Sequence, residues 1–303
     1  MPEKKSVCIY IPLFNERANL PEVFRRVETV VANEPAYEWR FLLIDNSSTD
    51  GSDLLCEAQA KADPRYRYVR LSRNWEAAAA HASFDFCDAD AMIVLFSDLQ
   101  DPPELIPLML RRWEEGFHLV NGIVRVRNDY TALKTIGARV AYRLIEWLTD
   151  SHMPANATDF RLMDRKVIDA VRACREWPRF TRGLVHWVGF KKSFFEYDRT
   201  ERVAGESKGT LLHSLRLTWE AILNFSDKPL RLISMFGLIV LLIAGLLALN
   251  YGFGKLLGYP APKGVTTVFI LTLANIGLTS FFLGQRSPHA HFSLLAMQGK
   301  PQI

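Results

Sequence analysis

The chain has 303 residues, of which 49% are hydrophobic and 23% charged, a balance that excludes wholesale disorder and supplies a full core. Its net charge of +4 is modest, and no helix-turn-helix or aromatic-plus-basic RNA motif accompanies the basic residues, so nucleic acid is not an expected partner. Charged residues are spread as far as Arg231, whereas Leu232 to Gln285 holds only Lys255 and Lys263, so the chain meets two solvents.

In chain order, the opening MPEKKSVCIYIPLFNER meets Pro12, Asn15 and Glu16 too early for a signal-peptide core, so the first domain is expected on the cytoplasmic side. Short apolar runs at 7–11, 41–44, 66–71, 92–95 and 119–124 predict strands, and 20–32, 52–62, 76–86 and 104–115 predict helices between them. This alternation implies an α/β fold with a largely parallel sheet covered on both faces. In such sheets ligands bind beyond the carboxyl ends of the strands, and polar residues collect there. Asn15 and Glu16 follow the first strand, Asp45 ends the second, and Arg73 and Asn74 follow the third. Asp98 and Gln100 follow the fourth, and Arg125 and Arg127 the fifth. A helical stretch is predicted over 130–149, then a less regular loop containing Thr158, Asp159 and Phe160. Four cysteines, Cys8, Cys56, Cys87 and Cys174, lie far apart without a CxxC pair, which suits reduced core thiols.

A basic cluster from Arg179 to Lys208 suits anionic headgroups or a lipid phosphate, and 209–225 reads as an amphipathic helix along a membrane surface. The runs 232–251 and 265–285 are uncharged apart from their flanks and about twenty residues long, enough to span a hydrocarbon core of roughly 30 Å. Lys228, Arg231 and Arg286 flank the pair, against Lys255 and Lys263 in the connection, a slight lean towards cytoplasmic termini.

The segment SDLQDPPEL places Asp98 directly after a buried strand and before a proline-started helix. An aspartate there can be a helix cap or turn residue. It can also hold a magnesium-type cation, which takes only one or two carboxylates when phosphates and water complete its octahedron.

With IPLFNE, LIDNSSTDGS, LSRN, SDLQDPPEL, TDFRLMDR, RFTRGLVHWVGF, RTERVAGESK and FSDKPLRL in this order, the chain resembles glycosyltransferase family 2 nearly end to end. The likeness is to its polyprenyl-phosphate branch, which includes bactoprenol glucosyltransferases and dolichol-phosphate mannose synthases. The resemblance implies a GT-A (Rossmann-like) catalytic domain over 1–208, a juxtamembrane amphipathic region over 209–231, a two-helix transmembrane anchor over 232–285 and a C-terminal tail over 286–303. It implies that Pro12, Asn15, Glu16 and Asp45 hold the base and ribose of a nucleotide sugar, with Asp98 and Gln100 at Mg2+ or Mn2+ and the diphosphate. Asp159 matches the position beside the acceptor, and Arg125, Arg127, Arg161, Arg199, Arg202 and Lys208 are candidates for donor or acceptor phosphates, Arg125 and Arg202 first among them.

The implied reaction is inverting transfer of a sugar, UDP-glucose being the first donor to test, onto undecaprenyl or another polyprenyl phosphate, for cell-envelope or O-antigen glycans. It would take place at the cytoplasmic (inner) membrane, in a multi-pass protein whose partners include membrane lipid and further copies of itself, a tetramer by resemblance. A lipid phosphate is already an anion near neutral pH, so Asp159 is expected to orient rather than to accept a proton, the base role being the alternative.

The sequence departs from the family pattern at Phe96, where a carboxylate is usual, at Asn46-Ser47 in the acidic loop, at RNWEAAAAHA and in the tail. A catalytically weakened protein that binds nucleotide sugar or lipid phosphate, and a polysaccharide-elongating synthase, remain open.

Overall fold

The N-terminal strand is apolar on both faces. Val7, Ile9 and Ile11 join one buried cluster and Cys8 and Tyr10 the other, as a strand covered by helices on both sides must. The computed structural model describes residues 4–125, 154, 157–174, 181–200, 228–258 and 264–297. Its elements run β1 (Ser6–Leu13), α1 (Leu20–Ala32), β2 (Glu38–Asp45), α2 (Ser52–Ala62), β3 (Tyr66–Arg70), α3 (Glu76–Phe86) and β4 (Ala91–Val94). A 3-10 turn (Pro103–Leu105) leads into α4 (Ile106–Glu114). There follow β5 (Leu119–Val124), β6 (Ala157–Asp164), α5 (Arg165–Ala173), α6 (Thr181–Trp187), β7 (Lys192–Tyr197), α7 (Lys228–Leu256) and α8 (Val265–Met297).

The five strands and the first three helices expected from the sequence are present, α1 with an amphipathic stripe that covers a sheet face. Leu20, Val23, Val27, Val30 and Val31 of α1 are all buried, with Pro21 harmless in the first turn. The fourth helix starts late, since Pro103 opens a 3-10 turn and α4 proper begins at Ile106.

One expectation is refined and one corrected. The sheet, ordered β3-β2-β1-β4-β6-β5-β7, is largely parallel as expected but mixed, because β6 alone runs antiparallel to its neighbours β4 and β5. Thr158, Asp159 and Phe160 lie in β6 and not in a loop. Phe160 and Leu162 enter one core cluster while Met163 enters the other, so the strand is buried on both faces despite its polar start. Reversal has a functional consequence: the start of β6 lies at the edge where β1, β2 and β4 end.

Helices α7 and α8 pack against each other. Ser234 Oγ donates to the Phe281 carbonyl at 3.0 Å, and the backbone of Gly237 meets that of Gly277 and Phe281 so closely that neither glycine has room for a side chain. Away from this seam the pair exposes Phe236, Leu246, Leu249, Phe253, Phe269 and Phe282. Both helices are long and apolar enough to cross a membrane. Helix α8 continues past the expected end of the second span at 285 to Met297, so the presumed tail begins inside a helix. The predicted helices over 130–149 and 209–225 lie outside the described residues.

Candidate functional site

Three loops at the carboxyl edge of the sheet converge, and each holds one non-glycine residue in left-handed backbone: Asn15 (φ 56°) after β1, Ser47 (φ 66°) after β2 and Leu99 (φ 56°) after β4. Such residues cost energy and persist only where their surroundings fix them, a pattern typical of functional loops. The first two loops are stapled together. Asn15 N–H donates to Ser48 Oγ at 2.9 Å, Thr49 N–H donates to Asn15 Oδ1 at 2.8 Å, and Glu16 N–H donates to Ser52 Oγ at 2.9 Å. The third loop is tied to the first by Ser97 Oγ, which donates to the Pro12 carbonyl at 3.2 Å.

Asp45 is fully buried. Ser48 donates to its Oδ1 from N–H (2.9 Å) and Oγ (2.6 Å), and the Tyr68 hydroxyl donates to its Oδ2 (3.1 Å). It therefore shapes the turn after β2. Pro12, Asn15 and Glu16 are half-buried along the crevice, with Glu16 Oε2 accepting from Asn19 Nδ2 at 2.7 Å.

At the end of β4, Asp98 is 9% exposed and its Oδ1 receives a long 3.3 Å bond from Gln100 N–H. Behind it Asp101, which sequence reasoning did not single out, is fully buried. The Tyr197 hydroxyl donates to its Oδ1 at 2.5 Å, and Arg199 donates through Nε at 3.1 Å and Nη2 at 3.4 Å. Burial raises the Asp101 pKa and the nearby charge of Asp98 adds to the rise, against Arg199 and Tyr197, which lower it. Thr200 Oγ1 donates to the Leu99 carbonyl at 2.8 Å, so the residues after β7 clasp the turn that carries Asp98.

Among the described residues no three His, Cys, Asp or Glu side chains form a ready-made metal cage. A single carboxylate at a strand end, backed by a second that protein groups saturate, does not suit a closed zinc site. It does fit a magnesium-type cation that brings its own phosphate and water ligands.

The basic candidates divide. Arg125 is exposed and pairs loosely with Glu196 (3.3 Å) and Asp198 (3.5 Å), contacts weak enough for a phosphate to displace. Arg199 is committed to Asp101. Arg161, a candidate phosphate ligand from the sequence, lies inside the fold: its side chain is 4% exposed and 3.2 Å from Asp159. Arg127, Arg202 and Lys208 lie outside the described residues. Asp159 is clamped by Arg161 and by Arg182 of α6, a partner not foreseen although RFTRGL was noticed as a motif.

Residues 8–172 match the model of the glycosyl transferase family 2 domain. An uncharacterised glycosyltransferase of Bacillus subtilis is 35% identical over 277 residues, covering 91% of this chain and 85% of that protein. A bactoprenol glucosyl transferase of Shigella phage SfX is 32% identical, covering 92% of this chain and 94% of its own. An undecaprenyl-phosphate 4-deoxy-4-formamido-L-arabinose transferase of Aeromonas hydrophila is 31% identical, with 92% and 86% covered.

Proposed function

The chain belongs to glycosyltransferase family 2, and we propose that it transfers a sugar from a nucleotide diphosphate to a polyprenyl phosphate at a membrane surface. The observation that carries this reading is the near-complete alignment, over 92% of the chain, with relatives named for bactoprenol and undecaprenyl phosphate. Those relatives carry different sugars in their names, so glucose is the first donor to test and not a conclusion.

The crevice supplies the parts such a transfer needs. The loops after β1 and β2 form a stapled shelf for the nucleoside, and the Asp98–Gln100 turn faces the diphosphate. A divalent cation held there by Asp98, with Gln100 beside it, would stabilise the charge of the departing nucleotide. Arg125 offers a guanidinium to a phosphate oxygen. The acceptor phosphate arrives as an anion and needs no strong base, so the protein's task is positioning and charge stabilisation. A single displacement inverts the anomeric carbon. The exposed apolar flanks of α7 and α8 support residence in a bilayer, with the catalytic domain on the cytoplasmic side.

Detergent-purified protein incubated with magnesium, polyprenyl phosphate and a panel of nucleotide sugars should form a lipid-linked sugar that requires the metal. Asp98→Asn should abolish it. Product from Asp98→Asn at the wild-type rate would remove Asp98 from the mechanism. Nucleotide-sugar binding by the wild type without any product would favour a protein that binds and does not transfer, a reading to which Phe96 lends support.

A further inference from the structure

Asp159 and Arg161 point to the same side of β6, and α6 lies over them with Arg182 and His186. Both carboxylate oxygens of Asp159 are occupied: Arg182 Nε donates to Oδ1 at 3.2 Å, Arg182 Nη2 donates to Oδ2, and Arg161 Nη2 lies 3.2 Å from Oδ1. Burial alone would raise the Asp159 pKa, but Arg182 and Arg161 outweigh it and hold the carboxyl well below the usual carboxylate range. Burial, with help from the charges of Arg161 and Lys192, lowers the pKa of His186 to about 3, so its ring is neutral.

The charge balance of the cluster is therefore unequal, with two guanidinium groups sharing one carboxylate. Arg161 Nε and Nη1 and both ring nitrogens of His186 are buried without a hydrogen-bond partner among the described residues. Surplus positive charge in a largely buried setting is costly unless an anion offsets it. Arg161 cannot meet a ligand from outside, at 4% side-chain exposure, whereas Arg182 is 43% exposed. A bidentate clamp on one edge of a planar guanidinium fixes the direction of its remaining edge.

We propose that Arg182 contacts a phosphate in the crevice, and that Asp159, backed by Arg161, is its positioning residue and not a proton acceptor. This rests on the glycosyltransfer reading for the supply of phosphate, which either the donor diphosphate or the lipid phosphate could provide. Two separate titrations distinguish the sources.

Wild type, Arg182→Ala, Arg182→Lys, Asp159→Asn and the Arg182→Ala/Asp159→Asn double variant are titrated with UDP plus magnesium and with a short-chain polyprenyl phosphate, following intrinsic tryptophan fluorescence. Loss of a charge-assisted contact should weaken binding of one of the two ligands by roughly 10- to 100-fold in Arg182→Ala, with the other unchanged. Arg182→Lys keeps the charge without the fork and guards against loss of folding, so it should fall between. Asp159→Asn should weaken the same ligand, and the double variant should be no worse than Arg182→Ala, since both act on one contact. Wild-type affinity for both ligands in folded Arg182→Ala and Arg182→Lys would overturn the proposal. So would an Asp159→Asn protein that binds both ligands normally yet loses turnover, which is the mark of a proton acceptor. Absence of any sugar transfer by the wild type would instead strike the glycosyltransfer reading, leaving the binding comparison to decide the role of Arg182.

Discussion

Removing the Asp101 carboxylate should loosen the catalytic turn and the fold together. Asp101 has no solvent exposure, accepts from the Tyr197 hydroxyl at 2.5 Å, and pairs with Arg199 at 3.1 Å. In Asp101→Ala the Tyr197 hydroxyl keeps only its 3.2 Å contact with Thr158, and a buried hydrogen bond to a charged group is worth about 1.5–3 kcal/mol. The Arg199 contact adds less than a fully buried ion pair would, because its side chain is 39% exposed and water can replace the lost partner. The sum is a destabilisation of about 2–4 kcal/mol, which for a domain of this size lowers the melting temperature by about 5–15 °C. Asp101→Asn keeps an acceptor for Tyr197 and should lose about half as much, ~1–2 kcal/mol. Because Asp101 and Thr200 together hold the left-handed turn at Leu99, misplacement of Asp98 should also cost roughly 10- to 100-fold in transfer rate. Thermal unfolding in detergent, paired with the lipid-linked sugar assay, measures both. An Asp101→Ala protein that melts and turns over like the wild type would refute the idea that the β7 end braces the Asp98 turn.

Gly122→Ala places a Cβ 2.7 Å from Tyr197 Cε1 and 3.2 Å from the Phe160 carbonyl, so it should cost ~1–3 kcal/mol by overpacking and disturb the Tyr197–Asp101 bond, visible as a lower melting point. Gly277→Val sets a Cβ 2.8 Å from Leu241 Cγ and 2.9 Å from the Gly237 carbonyl; the α7–α8 pair should separate, abolishing disulfide cross-linking between cysteines introduced on facing positions of the two helices. Asp159 has a folded-state pKa below its unfolded value, so its stabilisation is present above the ordinary carboxylate pKa and is lost as pH falls through the lower folded value. The stability gap between wild type and Asp159→Asn should therefore be widest near neutral pH and shrink below about pH 4. A gap that stays constant from pH 7 to pH 3 would show that the clamp does not depend on the ionised carboxylate.

The first half of the fold was legible because β1, β2 and β4 carry apolar runs and α1 a clean stripe: 20–32, 52–62 and 76–86 have the observed bounds. The reversed strand was not. ATDFRLMD begins with two polar residues and buries an arginine, so no two-residue alternation stands out, and only pairing with β4 and β5 makes it a strand. At the site, position after a strand marked Asp98 as a candidate, and the family resemblance gave it an expected role at the metal. Asp101 and Arg182 were missed because their roles come from partners distant in sequence, Tyr197 and Asp159, and no local pattern encodes such a contact. Asp45 shows the converse, a motif residue whose hydrogen bonds turn it inwards.

Phe96 ties the departure from the family pattern to the charge of the crevice. It lies two residues past Val94, the register partner of Arg161, and packs against the apolar cluster of Tyr10, Val94 and Leu184. Val94 is paired with Arg161, and extending the strand alternation by two residues puts 96 on the same face, where a carboxylate would be expected to offset part of the surplus positive charge. Phenylalanine leaves that surplus in place. Under the proposed roles of Asp98 and Arg182, this shifts the expected balance of the site from metal coordination towards direct phosphate binding by arginine. On this account Arg182 should matter more, and the choice among divalent cations less, than in a relative with two acidic residues on this turn.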